Sequence, residues 1–249
     1  RNAEYIGKKY KAKKFIAYFQ NFTNTYMPIE DFKRVISEAA KENIVEIAVS
    51  TRPDCISDEY LEVLNDIKNE YNVEISVEIG LQTVNYKTLE KINRGHTLAE
   101  FTDAVLRVKK YGFDTCAHLI LNLPWDDKTD VIENAKMLSA LGVKQVKLHC
   151  LYIVKNTKMA KMYQNAEFEM GSYFDYADKV ITFLEYLSPE IVIQRLIGRA
   201  KEEHTLFANY STSWWKIKDS IDAQMEYLDT YQGRKCDYLN GKCVRKFLT

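Results

Sequence analysis

The feature that most constrains this chain is an alternation of short apolar runs with amphipathic helical segments, repeating about every 30 to 45 residues. Strand-like runs fall at residues 14–20, 44–50, 73–79, 113–121, 143–150 and 190–196. Helical periodicity falls between them at 30–41, 57–71, 97–111, 129–141, 158–164 and 173–187. Strand–helix–strand order implies parallel strands joined by right-handed crossovers. Two architectures satisfy it, an open doubly wound sheet and a (β/α) barrel.

The placement of polar residues bears on that choice. In residues 73–79, Val73, Ile75, Val77 and Ile79 point one way, and Glu74, Ser76 and Glu78 point the other. Gly80 is placed to turn the backbone, Gln82 and Thr83 follow in a loop, and a short helix ends at Asn93-Arg94-Gly95. A carboxylate row inside a sheet is costly unless it meets partners, water or ligand. Taken alone, the pattern also suits a half-exposed edge strand. Polar residues recur toward the C-terminal ends of the strands: Gln20, Ser50, Arg52, Glu78, His118, Asn122, His149, Gln194 and Arg195. A closed eight-stranded barrel fills its interior with branched apolar side chains. A polar interior therefore points to a partial, TIM-like (β/α) barrel of about six parallel strands, lined for a ligand at the strand C-termini. No G-x-G-x-x-G follows a strand, which weighs against a dinucleotide fold. The barrel reading covers residues 1–198, and 199–249 reads as a helical extension with a loose basic tail. A helix over 213–231 carries Ile217, Ile221 and Leu228 on one side.

With 249 residues the chain can bury a large core. Lys+Arg and Asp+Glu stand at 35 each, so there is no electrostatic case for nucleic-acid or anionic-membrane binding. No apolar run approaches membrane-spanning length and no signal peptide is visible, so a cytoplasmic location is expected. The five cysteines, Cys55, Cys116, Cys150, Cys236 and Cys243, are odd in number and widely spaced, which argues against a secreted disulfide framework. Cys236 and Cys243 read as two unrelated thiols rather than a metal or disulfide pair. The chain starts at Arg1, without a methionine, and is read as a fragment.

Six ordered segments carry a family signal: YFQNFTNTY, STRPDCISDEYL, VEIGLQT, INRGHT, AHLILNLP and VKLH…VKNTKMA. Together they resemble the YhcC-type radical-SAM proteins, which are similar in turn to the elongator-type and coproporphyrinogen-dehydrogenase-type enzymes. The resemblance covers residues 14–196. It implies a partial six-stranded barrel, S-adenosylmethionine (SAM), a 4Fe-4S cluster on a C-x-x-x-C-x-x-C loop, and an electron donor such as a flavodoxin or ferredoxin. Three thiolates leave one iron open for SAM, and polar strand ends orient the cofactor. Gln20 and Asn21 stand where relatives bind the methionyl amino group with a glycine-rich loop. Ser50 and Arg52 stand where relatives contact the ribose or methionyl end. Glu78 is a ribose ligand or an internal partner of Lys147 or Arg52. Gln82 and Arg94 match a glutamine and an arginine that relatives use on SAM. His118 replaces an acidic SAM contact, and His149 lies on the strand bordering the adenine.

Two departures stand out. The C-x-x-x-C-x-x-C run is absent, so cluster ligands are expected upstream of Arg1. Asn122-Leu123-Pro124-Trp125 replaces the usual G-L-P-G, and Trp125 is a candidate to narrow the adenine pocket or cap the barrel. The residues thus imply a radical-SAM core acting on an unknown substrate. A clusterless barrel that binds a small molecule or partner is the alternative. A metal-dependent hydrolase using Glu78, His118 and His149 is a weaker third. His96 and His204 stand in no such context.

Overall fold

Six strands lie side by side in chain order: β1 (Phe15–Phe19), β2 (Ile44–Thr51), β3 (Glu74–Gln82), β4 (Asp114–Ile120), β5 (Gln145–His149) and, past the short β6 (Ile153–Val154), β7 (Val192–Arg195). The computed structural model describes residues 2–20, 23–198 and 202–247. A doubly wound sheet reverses its strand order at a switch point, whereas a (β/α) barrel sets each strand beside the last. The unbroken order β1-β2-β3-β4-β5-β7 therefore selects the partial-barrel class. It also removes the edge-strand reading of residues 73–79, because β3 is third in the order.

Helices fill the connections: α1 (Asn2–Tyr10), α2 (Ile29–Ala39), α3 (Asp58–Tyr71), α4 (Tyr86–Lys91), α5 (Leu98–Lys110), α6 (Lys128–Leu141), α7 (Lys158–Gln164), α8 (Tyr173–Tyr186) and, in the extension, α9 (Trp214–Tyr227). The chain divides into two compact units, residues 1–80 with 99–116, and residues 81–98 with 117–249.

In the first unit, β1, β2 and β3 run parallel with defined register: Phe19 opposes Val49, Val49 opposes Val77 and Ser50 opposes Glu78. Ile47, Val49, Ile75 and Val77 are buried as register partners on one face. Helical spacing supplies the facing layer. Phe32 and Ile36 on α2, Leu61, Leu64 and Ile67 on α3, and Phe101, Ala104, Val105 and Val108 on α5 are all buried. Phe32 meets Tyr60 edge-on, with centroids 5.3 Å apart.

In the second unit, β5 pairs with β7, and β6 pairs antiparallel with β8 (Thr205–Phe207). A capping box starts α6: Asp127 accepts from Thr129 N and Asp130 N, and the Asp130 carboxylate accepts from Asp127 N. Gly142, at φ 64°, ends the same helix. Ser172 and Asp175 form the same box on α8. Ile217 and Ile221 are fully buried, as the spacing requires. Leu228 is 53% exposed, contrary to its expected place on that face, because α9 stops at Tyr227 and the chain turns away.

The segment just after Gln232, through Tyr238, is docked on α8, where the sequence reading expected a loose tail. Gly233 N and Lys235 N donate to Leu184 O and Glu185 O at 2.9 and 2.7 Å, and Tyr238 Oη donates to Tyr186 O at 2.6 Å. The last carbonyls of a helix lack intrahelical partners, and this segment supplies them to α8. Gly233 has φ 85°, and a Cβ there would come within 2.8 Å of the Pro189 ring. Gly233→Ala is expected to lower unfolding free energy by about 1–3 kcal/mol. It should also open residues 234–247 to limited proteolysis; an unchanged urea midpoint and digestion pattern would contradict this docking.

Candidate functional site

Three neighbouring strands build the first cluster. Glu78, on β3, is 3% exposed. Tyr18 Oη on β1 donates to Glu78 Oε2 at 2.7 Å, and Ser50 Oγ on β2 donates to the same oxygen at 3.3 Å. Register puts Ser50 directly beside Glu78. Asn24 joins the strand ends: its Nδ2 donates to Phe19 O at 2.7 Å and Ser50 O at 2.9 Å. Thr25 and Thr51 share a buried hydroxyl contact of 2.5 Å. Gln20 is exposed and, with Tyr18, Phe19 and Asn24, lines a hollow of about 320 Å³. Asn21 lies outside the described residues. Arg52 forks onto Asp54, with Nε to Oδ1 at 2.9 Å, and Asp54 holds the guanidinium further above its usual range. Arg52 is thus paired two residues along its own loop rather than with Glu78. The sequence reading missed Tyr18 and Asn24, whose only signal was their place in the YFQNFTNTY segment.

The second unit holds the Gln82 and Arg94 segment. The turn expected at Gly80 falls at Gln82 instead: β3 continues to Gln82, whose φ is 71°. Side chains secure this left-handed residue. Thr83, fully buried, accepts from Asn85 N at 3.1 Å, and Val84 N donates to Asn134 Oδ1 at 2.9 Å. Asn85 caps α4 by accepting from Thr88 N, and its Nδ2 donates to Asp130 at 3.0 Å. Past α4, Arg94 N donates to Leu89 O at 3.0 Å between left-handed Asn93 and Gly95, at φ 52° and 78°. Arg94 is half-buried beside a hollow of about 360 Å³ lined by Tyr86, Leu89, Glu90 and Asn93; Gln82 is not part of that lining. His96, set aside in the sequence reading, is 3% exposed with Nε2 3.3 Å from Leu81 O. It ties the end of this segment back to β3, a contact that no local pattern announces.

His118 and His149 stack at a tilt, with ring centroids 5.2 Å apart. Arg195 Nη2 lies 2.6 Å from His149 Nε2 and 3.2 Å from Nδ1. A guanidinium donates and cannot accept, so Arg195 is the donor in this pair. Asn122 is fully engaged. Its Nδ2 donates to Tyr210 Oη at 2.8 Å and to Cys150 Sγ at 3.2 Å, and its Oδ1 accepts from Leu151 N at 2.6 Å. Tyr210 sits in a left-handed run with Asn209 and Ser211, at φ 45°, 54° and 53° in chain order. Burial pushes the Cys150 thiol up to about 12, so it stays protonated. Trp125 packs on Phe168, with centroids 5.2 Å apart, under the ammonium of Lys91 at 4.9 Å.

Comparison with known proteins places the chain. It matches the Radical SAM superfamily over residues 1–138 and the Radical_SAM C-terminal domain over residues 143–227. The chain belongs to the radical SAM superfamily. Uncharacterized protein YtqA of Bacillus subtilis is 34% identical over 91% of this chain and 70% of its own length. Protein YhcC of Escherichia coli is 31% identical over 85% of this chain and 69% of its own, in keeping with the YhcC-type resemblance. Among solved structures, archaeal Methanocaldococcus infernus Elp3 with an N-terminal deletion superposes with a TM-score of 0.78 at 15% identity, over 93% of this chain and 58% of that one. At that identity the likeness shows the fold alone, the partial (β/α) barrel. Membership supports SAM-dependent radical chemistry in general terms, with SAM, a reductant and a 4Fe-4S cluster as superfamily components. The residues present do not fit the cluster: the sequence has no C-x-x-x-C-x-x-C run, and its five cysteines form no disulfide. No helix among the described residues is long and apolar enough to cross a membrane.

Asp126 supports the same segment from below. It is 7% exposed, and burial pushes its carboxyl above the usual range, against the hydroxyls of Thr88 and Thr83 and the ammonium of Lys179; Asp130 adds to the rise. Lys179, itself lowered by burial, donates to Asp126 O at 3.1 Å. An acid whose pKa is raised on folding binds its proton more tightly in the native state. Its contribution is complete below the ordinary carboxylate range and is lost as pH rises through the raised value. Asp126→Asn removes that loss. Its urea midpoint, relative to the parent, is expected to rise as pH increases above the ordinary carboxylate range. A difference that stays flat with pH would show that Asp126 is not buried as a charge.

Proposed function

We propose that this chain is the SAM-binding core of a radical-SAM enzyme that generates a 5′-deoxyadenosyl radical to act on a substrate not yet identified. The observation that carries the reading is the 81–97 segment. There Gln82 and Arg94, which match SAM contacts of the YhcC-type group, are held on a frame of side-chain hydrogen bonds to Asn134, Asp130 and the β3 carbonyl. A site held by locked rotamers and supporting hydrogen bonds is pre-organised for a ligand.

The roles follow the resemblance residue by residue. Gln20 and Asn21 receive the methionyl amino group on their backbone. Ser50 and Arg52 serve the ribose or methionyl end, and Glu78 accepts from ribose hydroxyls while Tyr18 steadies its other side. Arg94 takes the methionyl carboxylate, with Gln82 beside that role. His118 and His149 serve the ribose and adenine. A 4Fe-4S cluster, if bound, would supply the electron for SAM cleavage, with a flavodoxin or ferredoxin as its reductant. None of the five cysteines of this chain has the spacing to provide the cluster thiolates. An odd number of widely spaced cysteines with no disulfide among them supports a cytoplasmic setting.

The missing cysteine run favours one second reading, a clusterless barrel that binds a small molecule or a protein partner. Release of 5′-deoxyadenosine from SAM by the native protein under dithionite separates the two, because only the first reading yields it.

Arg94 provides the sharpest test. A planar guanidinium matches a carboxylate in two parallel hydrogen bonds, which an ammonium does not. Arg94→Lys is expected to weaken SAM binding by about 1–3 kcal/mol with little change in melting temperature. Calorimetric titration of SAM into both proteins measures it. Equal affinities, or a variant that melts far below the parent, would make Arg94 structural.

A further inference from the structure

The second unit contains a cavity of about 700 Å³ between α8, the end of β7 and α9. That volume is in the range of small-molecule sites. Its walls are mainly apolar, with Leu184, Leu196, Met225 and the Trp214 ring. Two cations reach it. Lys218 is tied to Asp222, one helical turn away, at 2.5 Å, so this pair brings no net charge. Arg195 is different. Among the described residues it makes no ion pair: Nη2 lies against the His149 ring, and Nε is buried with no acceptor.

Arg195 is half-buried, and a donor shielded from water with no acceptor is costly. The cavity therefore offers one uncompensated guanidinium against an apolar, aromatic wall. A carboxylate completes the guanidinium, and a flat hydrocarbon body fills the rest. A single open cation matches a monoanion better than a phosphate dianion.

We propose that this cavity is a binding site for a small, flat, apolar molecule bearing one carboxylate, held by Arg195 and separate from the SAM contacts. The proposal does not rest on the radical-SAM reading.

Naphthalene-1-acetate and its neutral counterpart naphthalene-1-acetamide serve as probes, titrated calorimetrically into the full chain. The acid is expected to bind about tenfold or more tighter than the amide, as one charge-assisted contact requires. Arg195→Met should erase that preference. Met225→Trp, which adds bulk to the α9 wall of the cavity, should abolish binding of both probes while the protein stays folded by circular dichroism. Saturating SAM should leave the acid's affinity unchanged. Failure of the parent to bind either probe, equal affinities for acid and amide, a preference that survives Arg195→Met, binding that survives Met225→Trp, or displacement by SAM would each overturn the proposal.

Discussion

Glu78 is a carboxylate on an interior strand, and much of the first unit is arranged so that it can stay there. A charge in that position is tolerated only with hydrogen-bond partners. Tyr18 and Ser50 provide them from the two preceding strands. The requirement reaches into the register of the sheet. A slip of one residue between β2 and β3 moves Ser50 to the opposite face and exchanges every apolar partner with it. Ser76, 4% exposed, donates to Glu46 at 2.6 Å and repeats the device one step down the same strands. Satisfying polar groups and aligning the core are one problem here, and the candidate ribose-binding face is its product.

The second unit solves a related problem in its loops. Left-handed backbone usually falls to glycine, yet Gln82, Asn93, Asn209, Tyr210 and Ser211 all adopt it. Near two of these positions, long-range side-chain bonds hold the loop: Asn134 to Val84 beside Gln82, and Asn122 to Tyr210. A loop fixed this way gives up glycine's freedom and gains a defined position for the side chains it carries. That suits Gln82, whose amide is useful only if its backbone does not wander.

Superfamily membership and local geometry answer different questions. Membership gives a chemistry in outline, and a shared barrel says nothing of the substrate. The local features that could set this chain's own binding preferences are Asn122 bonded to Tyr210, Trp125 packed on Phe168, and a cavity lined by Arg195. All three involve the second unit.

The amino-acid sequence by itself determined the elements and the class. Helical spacing placed α7 at Lys158–Gln164 and α8 from Tyr173, where they are found, and polar strand ends with six ordered segments pointed to a SAM-binding partial barrel. The strand order decided what periodicity left open, between barrel and doubly wound sheet and between interior and edge for β3. Tertiary structure alone decided the partners: Tyr18 for Glu78, Leu81 for His96, Asp54 for Arg52, Arg195 for His149, and α8 for the segment after Gln232. The physical reason is that a local pattern reports which side of an element is apolar. Which polar group meets which depends on register and packing between residues up to 60 positions apart, as with Tyr18 and Glu78, and no window of sequence contains that.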